Sequence, residues 1–429
     1  MKDSFFKYFI FLLGLSFESH ALTYDQALDL AAGYDKKYAS AILEQKSSEY
    51  LSTIARSALI ANVQLTGFQA GNRLNRSEPN GPGGTQTSNL NYVSQNYTAQ
   101  LTQPLFNLVA LFDFIQSNKQ EEAAVARLEI AFNELSAQVA SAYYAFSAAK
   151  DSVLYTKKEY EVLEHQEKIA IARVRAGLAS RVDLEEINYS KMQVQANLDE
   201  ANNALVASSA TLEKLVGRQI SPNEPTGAFF HGIIADKSVE YFISSGKINS
   251  PKVIFQQRQY ESSLYENKKI RASSAPKLDF VAQQNYQNSG TLSTINQKSL
   301  QTYTGLQLNI PIFDGGRLYG KDRQTAIYAE SQRALVDSEI NDLEESIRKN
   351  YSSTAAAIAG CKALEAQIES ARFLVAAMER QRNLGLKSTY DVLLSIRKLF
   401  QSQRELSRIK YSGALAAKNL EISSGLLRY

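Results

Sequence analysis

The residues in this chain best placed for chemistry are two aspartates in a short motif that occurs twice. The motif reads Gly-Leu-x-Ser-x-x-Asp, and its second copy begins 208 residues after the first. A serine followed three residues later by an acidic residue predicts a capping box, in which each side chain accepts the other residue's backbone N–H. Each motif should therefore begin a helix and place a carboxylate at the positive end of the helix dipole. The motif residues are Gly177, Ser180 and Asp183 in the first copy and Gly385, Lys387, Ser388 and Asp391 in the second.

Other reactive residues are few and scattered. The histidines are His20, His165 and His231, and the lone cysteine is Cys361. No metal-ligand spacing, phosphate-binding loop or nucleophile motif is present, so we expect no catalytic residue, bound metal or cofactor. His165 should lie on a helix surface and Cys361 inside a helix interface. The net charge of +3, from 47 basic and 44 acidic residues, gives no sign of nucleic-acid binding.

The motif lies at the turn between long helical patterns. Apolar residues follow 4,3 spacing from Leu128 to Val174 and, in the same register, from Val336 to Arg382. Such a repeat predicts coiled-coil packing, and it resumes after each motif. The sequence thus predicts two antiparallel helical hairpins, over residues 113–216 and 320–425. The polar members of the repeat are Thr156, Glu167, Asn350, Thr354 and Arg382.

Each helical hairpin follows a pair of segments that alternate apolar and polar residues. Leu278, Phe280 and Ala282, for example, alternate with Lys277 and Asp279. Segments of about ten residues with one apolar and one polar face are typical of transmembrane β-strands, although an amphipathic hairpin on a soluble core gives the same pattern. We predict β-hairpins at 62–104 and 276–311, with long polar loops at 72–91 and 288–298. The prolines Pro104 and Pro311 should mark the two strand-to-helix junctions.

Four strands are too few to close a barrel, since the smallest membrane barrels have about eight. Several copies of the chain must therefore share one barrel, and strand number alone leaves two or three copies open. The predicted fold class is mixed and mostly α. The predicted divisions are a cleaved signal peptide at 1–21 without a lipid anchor, a first repeat at 22–216, a connecting segment at 217–250 that packs around the helical part, and a second repeat at 251–429.

In these features the chain resembles the TolC family of outer-membrane efflux and secretion channels. The tandem repeat, the Pro-Leu/Ile-Phe strand exits and the paired tip motifs carry the resemblance across the mature chain. It implies a homotrimer in the outer membrane of a Gram-negative bacterium. Its twelve strands would form one transmembrane β-barrel in outer-membrane lipid, and its twelve helices a periplasmic tunnel. It also implies a periplasmic adaptor and an inner-membrane ABC, RND or MFS-type transporter as partners.

The resemblance further implies that the helix-turn tips form a closing aperture. Relatives use an aspartate on each tip, here Asp183 and Asp391, and a basic residue, here Lys387. The chain departs from the family pattern at Leu394, where relatives have a second acidic residue. It also departs at Arg382, where they have a tyrosine that locks the closed state.

The predicted function is passive conduction of substrates from such a pump to the exterior, in type I protein secretion, drug efflux or both. One alternative is a periplasmic or surface coiled-coil stalk or adhesin without a pore. Another is a periplasmic adaptor, but an adaptor has a single helical hairpin between β-rich flanks. An enzyme is the class that the sequence favours least.

Overall fold

The computed structural model describes residues 22–79, 81–221, 234, 237–289 and 297–426. The predicted signal peptide, His20 and His231 lie outside these residues. In chain order the elements are α1 (Tyr24–Tyr34), α2 (Lys36–Ser48), α3 (Leu51–Ser57), β1 (Asn62–Pro79), β2 (Thr85–Phe106), α4 (Leu108–Arg175), α5 (Arg181–Val216), α6 (Val239–Asn249), α7 (Pro251–Ala272), β3 (Lys277–Ser289), β4 (Gln297–Asn309), α8 (Arg317–Asn383) and α9 (Thr389–Ser423).

The chain forms two compact units that cut across the two sequence repeats. The helical unit comprises Met1–Ala39, Ala131–Lys247 and Leu343–Tyr429. The sheet unit comprises Ser40–Ile130 and Ile248–Asp342. Each unit therefore takes segments from both repeats, because the corresponding parts of the two copies pack on each other. The repeat boundaries describe the duplication in the sequence and do not delimit compact bodies.

The sheet unit contains a four-stranded antiparallel sheet in the order β1-β2-β3-β4. Its register places Leu65 opposite Ala99 and Phe280 opposite Leu306, so that apolar side chains share one face. On the other face Thr98 donates to the Asn285 side chain at 3.1 Å. The alternation predicted from sequence is confirmed, with one apolar and one polar face running across all four strands.

The apolar face of the sheet is not covered by any of the residues that the structure describes. Leu65 is 78% exposed and Leu306 is 66% exposed. Tyr97 and Tyr286 stack on this face with ring centroids 6.2 Å apart. An apolar face of this extent normally contacts another protein or lipid. Within the described residues no helix combines the length and hydropathy needed to cross a membrane.

The first β-hairpin is longer than the sequence predicted. The segment 72–91 was expected to be a loop, but β1 continues to Pro79 and pairs with β2 from Thr85 onward. The polar residues of this ribbon are paired across the ladder, for example Asn75 with Asn89. The face in phase with Leu65 is polar in this ribbon, and Leu74 and Leu90 lie on the opposite face, so the apolar alternation of the rest of the strands does not continue there. The backbone ladder, which sequence pattern does not report, decides the structure.

Charged side chains join the helices of the sheet unit. Lys119 of α4 lies 3.2 Å from Glu261 of α7, and Arg258 of α7 lies 2.9 Å from Glu122 of α4. Lys119 also pairs with Glu122, and Arg258 with Glu261. The four alternating charges form a closed network, which is a better source of stability than an isolated surface pair.

The predicted heptads form the core of the helical unit. Val139, Phe146 and Ile347 are completely buried, and Cys361 is a buried free thiol. The polar heptad member Thr354 is also buried, and its hydroxyl donates to the backbone carbonyl of the residue four positions earlier at 2.7 Å. A buried hydroxyl satisfied within its own helix does not interrupt the interface. Both the helix-core reading of Cys361 and the coiled-coil prediction are confirmed.

The connecting segment includes α6, which packs within the helical unit. Phe242 is fully buried, and a Cβ on Gly246 would lie 2.9 Å from the Ile347 side chain. The hydroxyl of Ser245 donates to the Ser424 carbonyl at 2.9 Å. The small residue lets α6 approach α8 closely. The predicted position of the whole connecting segment around the helical part stays a prediction.

Candidate functional site at the helix-turn tips

Each predicted tip is a glycine turn of the same geometry. In the first tip Gly177 has a φ of +71°, and the Leu178 amide donates to the Arg173 carbonyl at 2.8 Å. In the second tip Gly385 has a φ of +74°, and the Leu386 amide donates at 2.9 Å to the carbonyl five residues earlier. Such 6→1 bonds end helices that finish on a left-handed residue, a conformation in which glycine is least strained. The glycines thus set the reversal of the chain.

The serine and aspartate of each motif begin the next helix as a capping box. Asp183 donates its amide to the Ser180 hydroxyl at 3.2 Å, and Ser180 donates its amide to the Asp183 carboxylate at 3.0 Å. The corresponding distances for Ser388 and Asp391 are both 3.1 Å. These bonds satisfy backbone donors that have no partner within the helix. The capping box inferred from the motif is present at both tips.

The two tips also interact through a residue pair that the sequence did not reveal. An interaction with the Thr389 hydroxyl lowers the pKa of the Asp183 carboxyl, and the Ser180 bonds add to the effect. Thr389 is only 8% exposed, so this contact is shielded from solvent on the threonine side. In the repeat alignment Thr389 corresponds to Arg181, which is exposed. The only trace of this contact in the sequence is therefore a difference between the repeats.

Asp391 has a different environment from its counterpart. Its carboxylate accepts from the Ser388 backbone amide and hydroxyl, which lowers its pKa, and the Lys387 charge acts in the same direction. The Lys387 ammonium lies 4.0 Å from the carboxylate. Asp391 thus interacts within its own tip, whereas Asp183 holds the first tip to the second.

Arg382 occupies the last heptad position before the second tip and contacts the first hairpin. Its guanidinium donates to the Gln166 side-chain oxygen at 2.9 Å, and the Gln166 amide donates to Glu379 at 2.7 Å. Nearby, Arg173 donates to the Asn383 side chain at 3.0 Å. Burial lowers the pKa of Arg382, and the Arg173 charge adds to this. We call the contacts of Gln166, Arg382 and Glu379 the glutamine bridge.

Two apolar clusters lie next to these polar contacts. One joins α4, α5 and α9 and consists of Leu163, Ala170, Ile187, Val194 and Leu393. The other joins α9 to α4 and α8 through Val392, Ile396 and Phe400, with Tyr155, Val162, Val375 and Met378 packed against it. Four helices thus meet near the tips, with an apolar interior and polar links between the two hairpins.

The strand-to-helix junctions differ from each other. β4 ends at Asn309 and α8 starts at Arg317, so Pro311 lies between them, where Gly315 and Gly316 have φ values of +72° and +85°. Pro104 instead lies inside β2, at a register shift just before the strand ends at Phe106. This corrects the predicted strand end by two residues. Beyond Thr102 the strand pairs with β3 alone, so a residue without an N–H interrupts little of the ladder there.

The tip residues connect the two helical hairpins. Among the described residues no group of His, Cys, Asp and Glu has the geometry to hold a metal ion. His165 is exposed on the surface of α4, as predicted. The structure brings Asp183 together with Thr389, and Arg382 with Gln166; sequence reasoning identified the first residue of each pair and missed the second.

Sequence comparisons place the chain among exported channel proteins. A family model described as an outer membrane efflux protein matches residues 27–218 and 243–426. The alkaline protease secretion protein AprF of Pseudomonas aeruginosa is 25% identical over 97% of this chain and 87% of its own length. The proteases secretion protein PrtF of Dickeya chrysanthemi is 23% identical over 94% of this chain and 87% of its own length. TolC of Vibrio cholerae is 22% identical over 96% of this chain and 91% of its own length.

Solved structures share the fold at low sequence identity. The transmembrane channel CusC superposes with a TM-score of 0.79 at 14% identity, covering 94% of this chain and 92% of that chain. The outer membrane protein VceC of Vibrio cholerae superposes with a TM-score of 0.78 at 16% identity, covering 94% of this chain and 96% of VceC. The likeness extends over the helical and strand segments alike.

Proposed function

We propose that this chain, which belongs to the outer membrane efflux protein family, is the outer-membrane channel of a type I protein secretion system. It is an outer-membrane channel protein of the secretion and efflux class, and the pore-free stalk is not favoured. What supports protein secretion is the alignment of AprF and PrtF, both named for protease secretion, over nearly the whole chain. Small-molecule efflux is the second candidate, because the family description itself names efflux.

The functional channel in this proposal is a homotrimer. In the isolated chain β1 and β4 are the free edges of the sheet, and its apolar face is exposed. Free edges and an uncovered apolar face are stable in a membrane only after closure into a barrel. Three copies supply the twelve strands implied by the resemblance, with β4 of each copy pairing with β1 of the next.

The tips in this proposal form the gate at the periplasmic end. In the described arrangement, the Asp183–Thr389 interaction and the glutamine bridge connect the α8–α9 hairpin to the α4–α5 hairpin, and in this proposal they keep the gate closed. Each polar contact of this kind contributes about 1 kcal/mol net. A few such contacts keep a gate closed, yet a partner that binds the separated hairpins more tightly can open it.

The partners in this proposal supply both the opening and the energy. Members of the family are passive channels, and we propose that this chain likewise has no enzymatic activity. A periplasmic adaptor would bind the tips, and an inner-membrane transporter of the ABC type would drive export. An RND or MFS-type transporter would be expected if small-molecule efflux were the function instead.

Complementation tests whether the channel exports proteins or small molecules. Expression of the full chain in Pseudomonas aeruginosa lacking AprF should restore alkaline protease in the medium. The same chain without residues 1–21 is the matched control and should restore nothing. Restored resistance to small toxic compounds without any secreted protease would contradict the proposal and favour efflux.

Conductance tests the pore itself. The purified protein in a planar lipid bilayer should give discrete single-channel steps with long closed intervals. A coiled-coil stalk or adhesin would give no steps at all.

A further inference from the structure

Charged residues on the sheet are sorted by face. Of the six charged residues in the described strands, only Arg73 and Lys298 are on the apolar face, in phase with Leu65 of β1 and Leu300 of β4. The other four are on the polar face, and they include both carboxylates. They are Arg76, Glu78, Lys277 and Asp279. A face that would contact lipid therefore carries two cations and no anion.

The two cations also lie at the same distance along their strands. Arg73 is eleven residues from Asn62, and Lys298 is eleven residues from Asn309. Asn62 and Asn309 are the strand ends joined to helices, so both cations lie toward the opposite, outer end. Eleven residues at about 3.3 Å each, tilted by about 40°, rise roughly 28 Å, which is close to the height of the apolar band of a membrane barrel.

Neither cation has a carboxylate partner within the described part of the chain. Both side chains are exposed, whereas Arg76, three residues along β1 on the opposite face, is paired with Glu78. A cation beside hydrocarbon is costly unless its long side chain extends to the interface and meets an anion there. Phosphate is the anion that lipid provides at this level, and guanidinium and ammonium groups bind it through charge-assisted hydrogen bonds.

Barrel closure would bring the two cations to one place. Arg73 is on β1 and Lys298 is on β4, the two edges of the sheet. When β4 of one copy pairs with β1 of the next, the two strands lie about 4.8 Å apart. Both side chains then point to the same outer face. The site is incomplete in a single copy and would occur three times in a trimer.

We propose that Arg73 of one copy and Lys298 of the neighbouring copy bind the anionic phosphate headgroup of a lipid in the outer leaflet. This lipid would fix the depth of the barrel in the membrane and bridge adjacent copies. The inference rests on the proposed trimer and on its place in the outer membrane. It is independent of the substrate that the channel exports, so a failed secretion test would leave it standing.

Lipid binding to the full-length trimer tests this site. The trimer in neutral detergent is titrated with phosphatidylglycerol, and binding is followed by native mass spectrometry; phosphatidylcholine with the same acyl chains is the neutral comparison. If each cation contributes about 1 kcal/mol, the Arg73→Gln/Lys298→Gln double variant should bind phosphatidylglycerol roughly 30-fold more weakly. The control Arg76→Gln, on the polar face of the same strand, should bind it like the wild type.

Several results would overturn the proposal. Binding of phosphatidylglycerol to the double variant within about twofold of wild type would remove both residues from the site, given the expected cost per cation. Equal binding of phosphatidylcholine would show that headgroup charge is not recognised. Displacement of the lipid by inorganic phosphate would make this a site for soluble anions instead. If the double variant does not assemble, the single variants, each expected to bind roughly fivefold more weakly, give the same test.

Discussion

Replacing Thr389 with valine removes the one described hydroxyl that joins the two tips. Valine keeps the branched shape of threonine at a position that is 8% exposed, so the packing around it should change little. The Asp183 carboxylate keeps its bonds to Ser180 and therefore still caps α5. The variant thus removes one of the links between the hairpins and leaves each hairpin intact.

The expected size of the effect follows from the environment of the bond. A hydrogen bond to a charged group contributes about 1.5–3 kcal/mol, and partial exposure of Asp183 reduces this to about 1 kcal/mol. If the three copies of a trimer open together, the closed state loses about 3 kcal/mol. The equilibrium between closed and open channels should then shift by about 100-fold.

Planar-bilayer recording measures this shift directly as the fraction of time that a single channel is open. Thr389→Val should raise that fraction strongly, while Thr389→Ser, which keeps the hydroxyl, should match the wild type. The midpoint of thermal unfolding should be the same for all three proteins within the resolution of the method. If Thr389→Val stays closed while Asp183→Asn opens, the aspartate acts through another partner and the reasoning fails.

Further predictions concern the two aspartates and one glycine. The Asp183→Ala/Asp391→Ala double variant should give a larger single-channel conductance than the wild type, and unchanged conductance would remove both residues from the gate. The pKa of Asp183 lies below the ordinary carboxyl value of 3.8. The contribution of Asp183 to closure is therefore present above that value and is lost as the pH falls through the lowered pKa. Closure measured by conductance should be constant from pH 7 to about 5 and weaken only below about 4. Gly217→Ala should lower the free energy of unfolding by about 2–4 kcal/mol in urea titrations, because φ is +76° and the new Cβ would lie 2.4 Å from the Tyr34 ring. Gly33→Ala, a position with no neighbour within 4 Å, is the control and should be neutral or stabilising.

Periodic features of the sequence predicted the architecture well. The heptads that include Val139 and Ile347 became buried helix interfaces, and alternation around Phe280 gave the apolar face of the sheet. These predictions succeeded because burial on one side repeats at a fixed spacing in each element. The ribbon from Gly71 to Pro79 was missed because its few apolar residues, such as Leu74, are out of phase with the apolar face of the rest of the strand.

Such patterns did not predict the contacts between elements. The capping box explains Asp183 from its neighbours alone, since serine and aspartate three residues apart interact within one turn. Its interaction with Thr389 depends on how two hairpins more than two hundred residues apart in sequence are placed side by side. Gln166 is similar, because its heptad context predicts only a helix surface or edge and not its bonds to Arg382 and Glu379.

The two kinds of contact near the tips indicate how the proposed gate can open without unfolding. The apolar clusters around Leu163 and Phe400 bury surface between helices, and separating them would cost several kcal/mol. The links through Thr389 and Gln166 are single polar contacts of about 1 kcal/mol each, and water can replace them when they part. A partner that binds at the tips therefore needs to break only the polar links at the ends, while the apolar clusters keep the two hairpins packed together. The apolar clusters set the stability of the closed and open states alike, so variants there should change unfolding, and variants in the polar links should change conductance.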